Sequence, residues 1–145
     1  MRSWPPSLTT GHNGHVTRVW VDGWQMQCCG RPFSVGATVS WNVMPPLDRE
    51  FLAQMVGAAE AEQVTHLEER HLDPEDGRLR TVSGRVAEVR AVSCRYAPDA
   101  AGPAKLLVPV RGSAVIELRD TADGWEREAD GLRFVGYLVD LDDAS

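Results

Sequence analysis

A chain of 145 residues is the size of one domain, and its 43% apolar and 25% charged residues are ordinary for a globular protein. The formal net charge of −6 argues against a general nucleic-acid binder, because neutralising phosphates supplies most nonspecific affinity. No stretch approaches the roughly 20 apolar residues needed to cross a bilayer, so no membrane association is expected.

Residues 1–15 contain Pro5-Pro6, Gly11 and Gly14 and show no periodicity. They read as a flexible N-terminal arm with no secretion signal pattern. Arg18 to Trp24 alternates, with Val19 and Val21 on one face and Trp20, Asp22 and Trp24 on the other. Gly30 and Pro32 interrupt the pattern, Gly36 suits a turn with positive φ, and a second strand carries Val39 and Trp41. The two strands read as a first hairpin.

Pro45-Pro46 ends that strand. Asp48 is placed to cap a helix whose stripe is Leu47, Phe51, Leu52, Met55 and Val56, with Leu47 and Leu52 as a hydrophobic staple. Val64 to Leu72 fits either a strand or a helix tail. The DPEDG of residues 73–77 is a turn, and Leu79 to Tyr96 is the longest β signal, with a bend expected at Gly84 or near Glu88 and Arg90. Shorter strands follow at residues 105–110 and 113–119, where Ala114, Ile116 and Leu118 share a face. A turn at Asp123-Gly124 suits a hairpin into a closing strand, Leu132 to Leu141. That strand is apolar on both faces, which marks it as central. Trp41, Val39, Val86, Ile116, Leu118, Phe134 and Leu138 are the expected core.

The run from Gly23 to Gly30, GWQMQCCG, with Pro32-Phe33, Gly36 and Trp41 after it, carries a resemblance. So do Gly84-Arg85-Val86, Cys94-Arg95-Tyr96, Asp123-Gly124-Trp125 and the FVGYLV of residues 134–139. Together they are similar to a family of small actinobacterial proteins that carry a domain of unknown function. The resemblance implies one compact unit of cytoplasmic origin and supplies no activity.

The expected architecture is a mainly β domain over residues 16–142, with residues 143–145 frayed. It is a small antiparallel barrel, similar to an oligonucleotide-binding (OB) or SH3-like fold, with about five to seven strands and one α-helix. Such folds host many functions, so candidate sites carry the reading.

Three sites stand out. Trp20, Asp22 and Trp24 offer a two-tryptophan surface, and a carboxylate between them argues against deep burial. That surface suits a noncatalytic binding or accessory module for a protein partner. His66, Glu68, His71 and Cys94 gather groups able to do acid–base work or bind metal, the alternative of a small enzyme or metal protein. The spacing is neither His-Glu-x-x-His nor paired Cys-x-x-Cys, so no metal or other cofactor is expected, nor catalytic residues. Arg78, Arg80, Arg85, Arg90 and Arg95, with nearby aromatics, sketch a single-stranded nucleic-acid surface. A regular strand splits those arginines between two faces, so cross-strand ion pairing with Glu68, Glu69 or Glu117 is the preferred reading. Cys28, Cys29 and Cys94 are an odd number without a secretion signal, and reduced thiols are expected for all three.

Overall fold

The computed structural model describes residues 17–70, 75, 77–102 and 106–142. His71, most of the 73–77 turn, the expected arm at 1–15 and the expected frayed end at 143–145 lie outside the described residues. In chain order the elements are β1 (Thr17–Asp22), α1 (Gly23–Cys29), β2 (Phe33–Ser34), β3 (Thr38–Met44), α2 (Arg49–Val56) and α3 (Ala58–Gln63). They continue with β4 (His66–Glu68), β5 (Arg80–Cys94), β6 (Tyr96–Pro98), β7 (Leu107–Pro109), β8 (Val115–Arg119), β9 (Thr121–Ala122) and β10 (Arg133–Asp142).

The fold is mainly β, built on a mixed six-stranded sheet. The expected first hairpin does not form. β1 pairs antiparallel with β10 and parallel with β4, while β3 pairs antiparallel with β4 and β5. The β1–β4 pairing makes the sheet mixed rather than purely antiparallel. β5 is long enough to serve two neighbours: Arg80 to Arg85 lie along β3, and Arg85 to Cys94 lie along β10. The change of partner falls beside a register shift in β10 between Asp140 and Leu141, close to the expected bend. β8 adds to the free side of β5. β9 pairs with β2, so the Asp123-Gly124 turn does not join a hairpin to β10. No helix among the described residues is long and apolar enough to cross a membrane.

β10 is buried over Val135 to Val139 and pairs on both sides, as its two apolar faces require. Its faces feed two cores. One gathers Val19, Val21, Phe33, Trp41, Val43, Val86, Tyr137 and Val139. The other lies under α2 and α3 and holds Trp20, Leu52, Met55, Val92, Cys94 and Leu138. Gly136 makes room for Trp20: a Cβ there would stand 2.5 Å from indole Cζ2 and 2.6 Å from the Val21 carbonyl oxygen.

Asp48 caps α2 as expected, its Oδ1 accepting the Phe51 N–H at 2.9 Å. The helix turns Leu52, Ala53, Met55 and Val56 inward and leaves Leu47 and Phe51 exposed, so the staple does not close. Gly57, at φ +96°, separates α2 from α3. With α1 this makes three helices among the described residues instead of one. Trp41, Val86 and Leu138 are buried, while Val39, Ile116 and Phe134 are partly buried against the cores. Leu118 is 68% exposed: β8 is an edge strand, and no layer covers that face of it.

Candidate functional site

The stretch expected to extend the first strand is instead a helix. Asp22 ends β1 in extended geometry and accepts the Trp24 N–H at 3.1 Å, so it caps α1. Burial pushes the Asp22 carboxyl up, opposed by its bonds to the Trp24 N–H and the Trp20 side chain. Gly23 lets the helix seat on β10, since a Cβ there would lie 2.8 Å from the Phe134 ring. Gln25 and Met26 point inward. Trp24, Gln27 and Cys28, at i, i+3 and i+4, share the outward face.

Trp20 and Trp24 therefore do not share a strand face. Trp20 is 4% exposed and belongs to the core, whereas Trp24 is 57% exposed. A second tryptophan joins the outer surface from an unexpected place. The turn after β9 holds Trp125 at 69% exposure. Asp123 Oδ1 accepts the Trp125 N–H at 2.9 Å. Gln27 Nε2 donates to the Gly124 carbonyl at 2.8 Å, which ties the turn to α1. The Gly124 N–H donates to the Tyr137 hydroxyl at 3.1 Å, and that hydroxyl donates to Glu126 Oε2 at 2.8 Å. Both exposed indoles thus stand on elements fixed to each other and to the core. Sequence periodicity cannot flag Trp125, because it follows a turn and lies on no strand or helix face.

Cys28 and Cys29 form a vicinal disulfide at the end of α1, and Cys94 is free and buried. The expectation of three reduced thiols is corrected for this pair. Both residues lie at the end of α1.

The second candidate cluster does not assemble. His66 and Glu68 share one face of β4, paired with Val19 and Val43 of the first core. Cys94 lies in the other core. His71 is outside the described residues. No three His, Cys, Asp or Glu side chains among the described residues are placed to hold a metal. Glu68 is nonetheless unusual. It is 3% exposed, and burial raises its carboxyl to about 7 against the opposing charge of Arg70. Arg70 Nε stands 2.7 Å from Glu68 Oε2, and Glu68 Oε1 has no hydrogen-bond partner among the described residues. Burial and the Arg80 charge lower the His66 imidazole.

The arginines of β5 are dispersed. Arg90 pairs with Glu60 and Glu88, and Arg85 with Asp142. Ion pairing is the arrangement expected, but for Arg85 and Arg90 the partners are not Glu68 or Glu117. Arg95 donates to the Asp130 carbonyl at 2.8 Å.

Fold and surface together define a mainly β domain in which the most exposed large aromatic side chains among the described residues are held on braced elements. The chain belongs to a family of unknown function, DUF6578, whose model matches residues 15–143. Neither a curated protein nor a solved structure matches it.

Proposed function

We propose that this domain is a noncatalytic binding module for a protein partner and that it docks through the outer face of α1 and the 123–125 turn. The observation that carries the reading is the exposure of Trp24 and Trp125 on two elements joined by the Gln27–Gly124 hydrogen bond. Exposed indoles cost solubility, and tryptophan is enriched among residues that dominate protein interfaces. Asp22 serves this surface by capping the helix, while Trp20 lies in the separate core under α2 and α3 and takes no part in it.

Closure of the sheet into a small barrel is part of the same proposal. Its support is the circuit of pairings from β1 to β10, β5, β3, β4 and back to β1. A closed scaffold would hold α1 without an open seam. A cytoplasmic setting also belongs to the proposal and rests on the family resemblance. There the Cys28–Cys29 bridge would meet a reducing thiol pool.

Site-specific photo-crosslinking in the source organism tests the docking surface. A photoreactive phenylalanine analogue at position 24 or 125 should capture the same protein, and at the exposed control position Leu118 it should not. Capture at all three positions alike, or at neither tryptophan position, would remove the surface from consideration.

A further inference from the structure

A cavity of about 450 Å³ opens between Arg31, the β2–β3 segment and Arg70, away from the outer face of α1. Its apolar wall is Phe33, Val39 and Trp41. The Phe33 and Trp41 rings meet edge-on with centroids 5.0 Å apart, and both are more than nine-tenths buried. Two arginines, Arg31 and Arg70, line the cavity beside this wall. Arg31 is exposed and makes no ion pair among the described residues. Arg70 is held by Glu68 through its Nε, while its backbone N–H donates to Gln25 Oε1 at 3.0 Å. The hydroxyl-bearing Thr38 and Ser40 complete the rim.

We propose that this cavity is a binding site for a small free carboxylic acid with a flat apolar body, its carboxylate facing Arg31 and Arg70 and its body lying on Phe33 and Trp41. A guanidinium fork matches a carboxylate in two parallel hydrogen bonds. When ionised, Glu68 offsets the Arg70 charge, which leaves the excess of Arg31 and suits a monoanion rather than a phosphate dianion. The aromatic wall favours a planar or branched apolar group over a sugar. Pockets of this volume and mixed lining are typical of small-molecule sites. This inference is independent of the docking surface, since no lining residue belongs to α1 or to the 123–125 turn.

Phenylacetate is a suitable probe, with phenylacetamide as its neutral match and inorganic phosphate as the competing anion. Titration followed by amide and indole NMR shifts should place phenylacetate at residues 37–41 and the Trp41 indole. The dissociation constant should be on the order of millimolar or tighter for a ligand of this size. Phenylacetamide should bind about tenfold more weakly or worse. Arg31→Gln, at an exposed side chain, should weaken phenylacetate about tenfold with its circular dichroism unchanged, whereas the exposed control Arg127→Gln should not. Equal affinity for acid and amide, shifts that map elsewhere, no binding, or tighter binding of phosphate at the same residues would each overturn the proposal.

Discussion

Gln25 Oε1 accepts the backbone N–H of Arg70 at 3.0 Å, joining the first helix to the chain segment beside the Arg31 cavity. Gln25 is 6% exposed, so its amide is committed to this contact rather than to water. Gln25→Met keeps the volume and removes the acceptor. Leaving a backbone donor unpaired costs about 1–3 kcal/mol. A lower denaturant midpoint with an unchanged slope should report that loss, and an unchanged midpoint would show that the bond contributes nothing.

Glu68 makes stability depend on pH in a direction opposite to most carboxylates. Its folded value of about 7 lies above the ordinary 4.5, so between those values the folded state holds the extra proton. Stability therefore falls as pH rises from about 4.5 to 7 and levels off above. The shift corresponds to a cost on the order of 3 kcal/mol for the ionised form at high pH. Glu68→Gln should remove this slope. Asp22, also raised by burial, adds in the same direction, and Glu60, lowered by Arg90, acts oppositely at more acid pH. The comparison of wild type with Glu68→Gln between pH 5 and 8 isolates the one group, and parallel stability curves would contradict its assignment.

Gly136 and Trp20 set the packing in the core under α2 and α3. Gly136→Ala would drive a methyl group into the indole and the Val21 carbonyl, one of them rigid backbone, and overpacking of this kind costs about 1–3 kcal/mol or more. Leu138→Ala, fully inside, should cost about 2–5 kcal/mol, whereas Leu118→Ala on the open edge strand should stay within about 0.5 kcal/mol. Thermal or denaturant unfolding ranks the three variants. A costly Leu118→Ala would mean that something covers β8.

The thiol count distinguishes the bridge from the expectation of free cysteines. Denatured, unreduced protein should titrate one thiol, Cys94. After reduction it should titrate three. Three thiols before reduction would refute the Cys28–Cys29 bond.

Much of the β framework is legible in the sequence because it rests on period-two patterning and turn chemistry. β10, the length of β5 and the Asp48 cap of α2 follow directly from such signals. The candidate site was less legible for a specific reason. Val19 to Trp24 alternates well enough to read as one strand, yet Asp22 also suits a helix cap, and Gly23 leaves the room beside Phe134 that lets the helix start there. The same alternation places Trp20 on the surface, whereas the structure buries it. Leu118 alternates correctly with Ile116, but alternation does not say whether a second layer exists to cover a face. The Arg70–Gln25 hydrogen bond, and the cavity that Arg70 shares with Arg31 and β3, join residues far apart in sequence, which local pattern does not encode.

The accessibility of the tryptophans follows from the same geometry. Iodide should quench the fluorescence of Trp24 and Trp125, so Trp24→Phe and Trp125→Phe should each reduce the quenchable fraction. Trp20→Phe and Trp41→Phe, at side chains 4% and 8% exposed, should not reduce it. Protection of Trp24 and Trp125 would mean that the proposed docking face is covered.

The docking face itself is tested most directly by calorimetric titration of the crosslinked partner against wild type, Trp24→Ala, Trp125→Ala and Leu118→Ala, each first shown to be folded. Each tryptophan variant should lose about 2 kcal/mol or more of binding free energy, roughly thirtyfold in affinity, while Leu118→Ala binds like wild type. Unchanged affinity in both tryptophan variants would contradict the account.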